Sequence, residues 1–280
     1  MTFTRHALPA LLIATTATAQ SKPGMTFDQT MVSITTAKGR TDTTITVMHT
    51  TSAGTNGRID LVEGKFPTLG AFSPGSHAVT IMHDGGMEII FLNPDQKQYL
   101  SFKPVAMMEG LQKMLEGMGG SMSVDTSVSR INLDSVGSGP PIDGHPTLMY
   151  KLTSVMRMTT SIMGQSHVVD HQSNQEIQAA TDLGEFAGVA NLNRFAELTE
   201  AMGFPKGYLE NLAATRRRIR GFPLRTVTHT TIAAGGATRT IVQTIETRNV
   251  RRLAVLDSLF LVPADYKPGT MPAMPGMPAR

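Results

Sequence analysis

The sequence predicts a mainly β fold of the α+β class, a strongly curved antiparallel sheet or half-barrel of roughly ten strands closed by helices on its concave side. Three observations support this. Short segments between residues 26 and 100 alternate polar and apolar residues, and the turns between them are too short to hold helices. Two later stretches, 105–118 and 184–219, change to helical spacing. No internal repeat and no alternation of strands with helices is present, which argues against a parallel sheet.

The N-terminal strands follow a two-residue period in the segments 43–49, 57–63, 77–83 and 87–92. Turn signals such as Asp84-Gly85-Gly86 and Asn93-Pro94-Asp95 separate them. The apolar residues that this period predicts on the inner face are, strand by strand, Ile45 and Val47, Ile59 and Leu61, Val79 and Ile81, and Ile89 and Phe91.

The first helical stretch carries Met107, Leu111, Met114 and Met118 at helical spacing and ends at Gly119-Gly120. Because thioethers adapt to ligands of varied shape, this stripe predicts a flexible lid over an apolar cavity. The alternative is an ordinary amphipathic helix packed on a sheet.

Strands resume near 124–136, followed by a predicted loop at 137–141 and a strand at 147–157 with Leu148, Tyr150 and Leu152 on one face. Segments 168–169 and 176–180 suggest another strand pair. In the second helical stretch, Pro205 is placed to begin a helix in which Leu209, Leu212, Arg216 and Ile219 share a face. Segments 224–233 and 237–248 predict a hairpin around Gly235-Gly236, and 251–262 predicts a last strand.

Residues 1–19 have the pattern of a cleaved signal peptide, with a short basic start, an apolar run and the small residues of 17–19. We therefore expect a mature protein that begins at Gln20 and is periplasmic or secreted. The apolar run is short and contains Pro9, and the chain has no cysteine for lipidation or a disulfide, so no stable membrane anchor is expected. Residues 20–266 then form a single domain, and the Pro/Met-rich tail 267–280 is predicted to be disordered.

The composition argues against several functional classes. Lys and Arg total 25 against 22 for Asp and Glu, a balance that does not describe a nucleic-acid binder. The sequence contains no phosphate-binding loop, no dinucleotide fingerprint and no G-x-S-x-G nucleophile motif. We predict no enzymatic activity, no catalytic residues and no cofactor.

Two motifs raise the question of metal binding. His167 and His171 flank a carboxylate, but in a strand residues i and i+4 are about 13 Å apart, too far to chelate one ion. Met271, Met274 and Met277 recur every third residue in the tail, and thioethers select Cu(I), although no cysteine or nearby histidine completes a ligand set. No metal site is predicted, and copper handling by the tail stays as an alternative.

The basic cluster of the sequence is Arg216, Arg217, Arg218 and Arg220. These side chains could meet lipid headgroups or an acidic partner at the mouth of a cavity. The alternative is a solvated helix C-terminus, where cations favour the helix dipole.

Several phrases resemble a family of exported bacterial proteins of unknown function that is related to the LolA, LolB and LppX lipoprotein-carrier superfamily. The resemblance covers roughly residues 25–267. It lies in the segments Gly57-Arg-Ile, 91–99 (FLNPDQKQY), 144–151 (GHPTLMYK), 221–225 (GFPLR) and, most specifically, 257–267 (DSLFLVPADYK). It implies a curved half-barrel closed by helices around an apolar cavity, in a superfamily whose better-known members carry acyl chains or lipidated proteins. The missing lipobox cysteine implies a free carrier, as LolA is.

The leading prediction is an exported, non-enzymatic binding protein that holds a lipid or another apolar ligand in a half-barrel cavity. The predicted lining consists of Ile45, Val47, Ile59, Leu61, Val79, Ile81, Ile89, Phe91, Met107, Leu111, Met114, Leu148, Tyr150 and Leu152. The alternatives are a structural or interaction module of the cell envelope with a filled core, and a periplasmic copper-handling protein that uses the tail.

Overall fold

The computed structural model describes residues 21–65, 75–162, 164–184 and 206–269. In these ranges the chain forms one sheet of thirteen strands, two α-helices and one 3-10 turn. The strand pairs are antiparallel except that of the last strand, and the sheet has two open edges. The predicted mainly β class is therefore confirmed, and an open antiparallel sheet of this size fits a half-barrel, with more strands than predicted.

The strands in chain order are β1 (Ser21–Ala37), β2 (Arg40–Ala53), β3 (Asn56–Glu63), β4 (Val79–His83), β5 (Glu88–Asn93), β6 (Gln98–Phe102), β7 (Ser121–Val124), β8 (Arg130–Ile142), β9 (His145–Ile162), β10 (Gln165–Ala180), β11 (Phe222–Ala234), β12 (Ala237–Leu256) and β13 (Lys267–Pro268). Helix α1 (Pro104–Gly117) lies between β6 and β7, and helix α2 (Lys206–Arg217) lies between β10 and β11. Across the sheet the order is β13-β6-β5-β4-β3-β2-β1-β12-β11-β10-β9-β7, and β8 also pairs with β9.

Long hairpins form the centre of the sheet, and the β11–β12 turn shows why they form. Gly235 and Gly236 both have positive φ, 54° and 78°, as a two-residue primed turn requires. The turn matches the twist of the flanking strands, so pairing continues without a gap from Ala234–Ala237 to Arg225–Glu246. The predicted hairpin at this position is confirmed.

Three predictions of local structure are wrong. The segments 168–169 and 176–180, expected as a strand pair, belong to the single strand β10, which pairs along its length with β9. The loop expected at 137–141 belongs to β8, whose pairing with β9 shifts register there. An irregular strand that pairs with a single neighbour tolerates glycine and proline. The strand expected at 251–262 ends at Leu256, and the chain then forms the 3-10 turn Asp257–Phe260, because this turn buries Phe260 against the sheet.

Both described helices lie within the predicted helical stretches. Helix α1 begins at Pro104, and the described part of α2 begins at Lys206. The predicted signal peptide and the stretch 185–205, with the helix start predicted at Pro205, lie outside the described residues. Of the predicted tail 267–280, Lys267–Pro268 form β13 beside β6, and residues 270–280 lie outside the described residues.

Buried apolar residues form three clusters. The first lies on β4 and β5 and includes Phe260 of the C-terminal segment, with Val262 and Tyr266 packed against it. The second lies on β8, β9 and β10 under Ile219, directly after α2. The third joins Phe27 of β1 to Phe222 and Leu224 of β11, with the rings of Phe27 and Phe222 edge to face at 5.2 Å. The three clusters lie along the sheet rather than in one central core.

Candidate ligand-binding face

The register of the long strands places charged side chains on one face of the sheet and mainly neutral side chains on the other. Alternate residues of a strand point to opposite faces, so the pairings assign each residue of β1, β9, β10, β11 and β12 to a face. One face, called here the charged face, carries Asp28, Lys151, Arg157, Asp170, Glu176, Arg225 and Glu246. The opposite face, called the uncharged face, carries no Asp, Glu, Lys or Arg within 25–35, 148–162, 167–177, 226–232 and 241–247. Outside these ranges, Arg239 and Arg252 of β12 lie on this face, where they pair with Ile232 and Met25.

Directly paired residues of neighbouring strands neutralise one another on the charged face. Arg157 Nε lies 2.6 Å from Asp170 Oδ1, and Lys151 Nζ lies 3.8 Å from Glu176 Oε1. These contacts are exposed and contribute little stability individually. They do keep this face hydrated, which leaves the opposite face as the side suited to apolar groups.

The uncharged face is partly covered in the described ranges. Near α2 it is filled, since Tyr150, Leu152 and Ile177 are buried. Toward the hairpin ends its apolar side chains are half-buried: Met31, Met156, Met158, Val169, Ile232, Ile241 and Ile245. Between them the same face carries uncharged polar residues, such as Ser154, Ser173, Thr228 and Gln243, so it is a neutral surface with apolar side chains rather than a continuous apolar patch.

The predicted lining residues divide between the two faces. The uncharged face receives Ile59, Leu61, Ile89, Phe91, Leu148, Tyr150 and Leu152. The opposite face receives Ile45, Val47, Val79 and Ile81, because Ile81 pairs with Ile90 and Val79 with Leu92, whereas Phe91 pairs with Thr80. The expectation that all these strand residues share one inner face is therefore wrong.

The reason why the predicted lining residues divide between two faces differs from strand to strand. In β4 and β5 both faces are apolar, and the C-terminal segment covers the one with Val79 and Ile81. In β2 the inner positions are occupied by Thr46 and Thr50, both buried, while Ile45 is 50% exposed. Pairing with β1 fixes this register, since it brings Thr50 beside the buried Phe27. The larger burial of Phe27 outweighs that of Ile45.

Of the predicted lid residues, Met107 and Met114 are half-buried on α1, and the side chain of Leu111 lies outside the described residues. Helix α1 contacts β7, and α2 contacts β8. Leu212 and Arg216 of α2, with Ile219 after it, lie on the side of the helix that packs toward the sheet, as their spacing predicts.

A polar cluster on the charged face was missed by the sequence analysis. His49 Nδ1 lies 2.7 Å from Asp28 Oδ1, and His49 Nε2 lies 2.8 Å from the Thr26 hydroxyl. The Asn249 amide donates to Asp28 Oδ2 at 2.8 Å, and these hydrogen bonds from His49 and then Asn249 lower the pKa of the Asp28 carboxyl. Residues distant in sequence meet here through strand pairing, which no local motif reveals.

The order hydroxyl, imidazole, carboxylate is that of hydrolytic triads, but the hydrogen bonds differ. The Thr26 hydroxyl donates to the Thr50 carbonyl at 3.0 Å. A hydroxyl proton donated to the Thr50 carbonyl is not available to the imidazole. The three side chains therefore form a hydrogen-bonded polar cluster without the proton relay of a triad.

The described residues form no metal site. His167 and His171 lie on the same face of β10, separated as in an extended strand. In the described ranges no group of three or more His, Cys, Asp or Glu side chains could hold an ion. Burial lowers the pKa of His171, which favours its neutral form on the uncharged face. The methionines of the tail lie outside the described residues.

Among the described helices, none has the length and apolar character needed to cross a membrane.

Comparisons with known proteins give distant structural likenesses. No family model and no curated protein matches the chain. The solved structure of PNGF-II is similar with 10% identity and a TM-score of 0.31, over 87% of this chain and 31% of that one, so the chain spans about a third of its length. A domain assigned to an outer membrane lipoprotein-sorting protein from Vibrio parahaemolyticus is similar with 10% identity and a TM-score of 0.24, over 82% of this chain and 85% of that one. Similarities at this level do not establish a shared fold.

Proposed function

We propose that this chain is an exported, non-enzymatic binding protein that holds an acyl chain on the uncharged face of its sheet. The observation that supports this most strongly is the separation of charge between the two faces of β1 and β9–β12. The central part of this face carries no charge, and its half-buried methionine and isoleucine side chains, which alternate with neutral polar residues, offer dispersion and apolar contact to a ligand without fixing its shape.

The binding site lies toward the hairpin ends. Near α2 the uncharged face is already filled by Tyr150 and Leu152, so the ligand occupies the rest of this face, from Met156 on β9 to Ile245 on β12 and Met31 on β1. Removing apolar area from water there contributes about 25 cal/mol per Å² before the cost of association is subtracted. An acyl chain matches such an elongated, neutral surface.

The second candidate function is an interaction module of the envelope. It is supported by Ile34 and Ile45, which are exposed on the charged face, where they could contact another protein. The same experiment separates the two candidates, because they use opposite faces of the same strands.

Two neighbouring residues of β1 provide a matched test. Met31 lies on the uncharged face and Val32 on the charged face, and both are half-buried. We expect delipidated protein to bind a fluorescent fatty acid, and Met31→Glu to weaken that binding at least tenfold, because a carboxylate would be desolvated against the chain. Val32→Glu should bind as the unmodified protein does.

Circular dichroism and thermal unfolding of both variants control for loss of the fold. Absence of fatty acid from the purified protein, together with no uptake of the probe, would contradict the proposal. If Val32→Glu lost binding and Met31→Glu retained it, the ligand would lie on the charged face, which would contradict the proposal.

A further inference from the structure

Arg216 is the half-buried arginine of the basic cluster. It lies on the same side of the helical segment as Leu212 and Ile219, and Ile219 packs into the cluster of Leu133, Tyr150 and Leu152. Arg217, Arg218 and Arg220 are exposed, and Arg218 Nη2 donates to the Leu133 carbonyl at 3.4 Å.

The guanidinium of Arg216 is not neutralised by the described residues. Its Nε is out of solvent and has no hydrogen-bond partner. Strand β8, which α2 contacts, has Ile131 and Leu133 on its uncharged face and Asp134 on its charged face. Desolvation lowers the pKa of Arg216, which reflects the cost of holding a cation here.

A half-buried cation without a counter-charge costs free energy that an anion would offset. Arg216 stands where the filled part of the uncharged face begins, and the half-buried residues Met156 and Met158 continue along β9 from Tyr150 and Leu152. Beyond Ser154, the apolar side chains Met156 and Met158 therefore lie on the same face as the residues that pack near Arg216. A cation at one end and apolar side chains farther along the face suit an amphiphile with one charged end.

We propose that Arg216 binds the carboxylate of a single-chain fatty acid whose hydrocarbon lies on the uncharged face. This inference rests on the proposed function and adds the head group to it. The Nε–Nη edge of a guanidinium matches the two oxygens of a carboxylate, and such charge-assisted pairs are stronger than neutral hydrogen bonds. Arg216 thereby selects acids over neutral lipids of the same length.

The test compares oleic acid with oleyl alcohol, which has the same chain and no charge. Displacement of a neutral fluorescent probe gives both affinities for the unmodified protein, Arg216→Gln and Arg217→Gln. We expect Arg216→Gln to lower the affinity for oleic acid on the order of tenfold and to leave that for oleyl alcohol unchanged. Arg217→Gln, which removes an exposed neighbouring charge, should change neither.

The outcomes separate the two proposals. If the unmodified protein binds neither compound, the proposed function fails. If it binds both and Arg216→Gln is unaffected, or loses acid and alcohol equally, the head-group assignment fails while apolar binding stands. Tighter binding of a single-chain phosphate monoester than of oleic acid would overturn the assignment to a carboxylate.

A second variant tests Arg216 without a ligand. Because the guanidinium is desolvated and unpaired, Arg216→Met should raise the Tm of ligand-free protein while weakening oleic acid binding. A lower Tm would show that Arg216 is compensated within the free protein and would overturn the inference.

Discussion

Two regions of this sheet use the same alternating pattern in different ways. In β4 and β5 both faces carry large apolar residues, and the C-terminal segment covers one of them by placing Phe260 against Val79, Ile81 and Leu92. In the central parts of β1 and β9–β12 one face is charged and internally paired, and the other carries no charge and is partly exposed within the described residues. The comparison shows that alternation defines two faces, while the segments that cover them decide which one is core. The first region stabilises the fold, and the second is the region where we propose that a ligand binds.

Removal of the Phe260 ring should have the largest effect. Its side chain is 1% exposed, so Phe260→Ala leaves a cavity in the first region and should lower the free energy of unfolding by about 3–5 kcal/mol. Urea unfolding measures the loss, and hydrogen exchange should show it first in β4 and β5. Leu261→Ala, at a residue that is 60% exposed, is the control and should cost little. Equal effects of the two variants would mean that the C-terminal segment does not cover this region.

A substitution at Gly221, directly before β11, tests the packing of the second region. The φ of Gly221 is 96°, and a Cβ there would lie 2.4 Å from the Ala180 carbonyl oxygen, so backbone must shift. Gly221→Ala should lower the free energy of unfolding by roughly 2–3 kcal/mol, measured by thermal or urea unfolding. Gly236→Ala, with φ 78° but open space around it, should cost about 1 kcal/mol. A reversed order would contradict the close approach of β10 and β11.

Asp28 tests the charged face and should have the smallest effect. Because the pKa of Asp28 is lowered in the folded protein, its ionised carboxylate stabilises the fold fully above the ordinary pKa of 3.8. This stabilisation is lost as the pH falls through the lower pKa of the folded state. Asp28→Asn should therefore reduce stability at neutral pH by less than about 1 kcal/mol, since the pair is exposed. The difference from the unmodified protein should shrink on acidification below pH 3.8, as followed by circular dichroism. A difference that grows on acidification would contradict the assigned sign.

The sequence predicts the class of fold because its strongest signals are local. Period-two alternation, the Gly235-Gly236 turn and the helical spacing of 105–118 each act within a few residues, and the structure agrees with them. The end of the last long strand at Leu256 was not predicted, because it depends on a contact between residues distant in sequence, the burial of Phe260 on β4 and β5.

The candidate site was partly predictable for the same reason. Alternation finds the two faces of β2 but does not say which is inside, and a threonine-rich strand gives little contrast between them. The buried Thr46 and Thr50 lie opposite the predicted Ile45 and Val47 because pairing with β1 sets the register. The charge separation itself becomes visible when the registers of five strands are read together.

The most direct test of ligand binding on the uncharged face is methyl NMR with a nitroxide-labelled stearic acid. The account predicts stronger broadening of the methyl signals of Met31, Met156 and Ile245 than of Val32, Val155 and Val242, which lie at adjacent or nearby positions on the charged face. Equal broadening of the two sets, or stronger broadening of the valines, would contradict it.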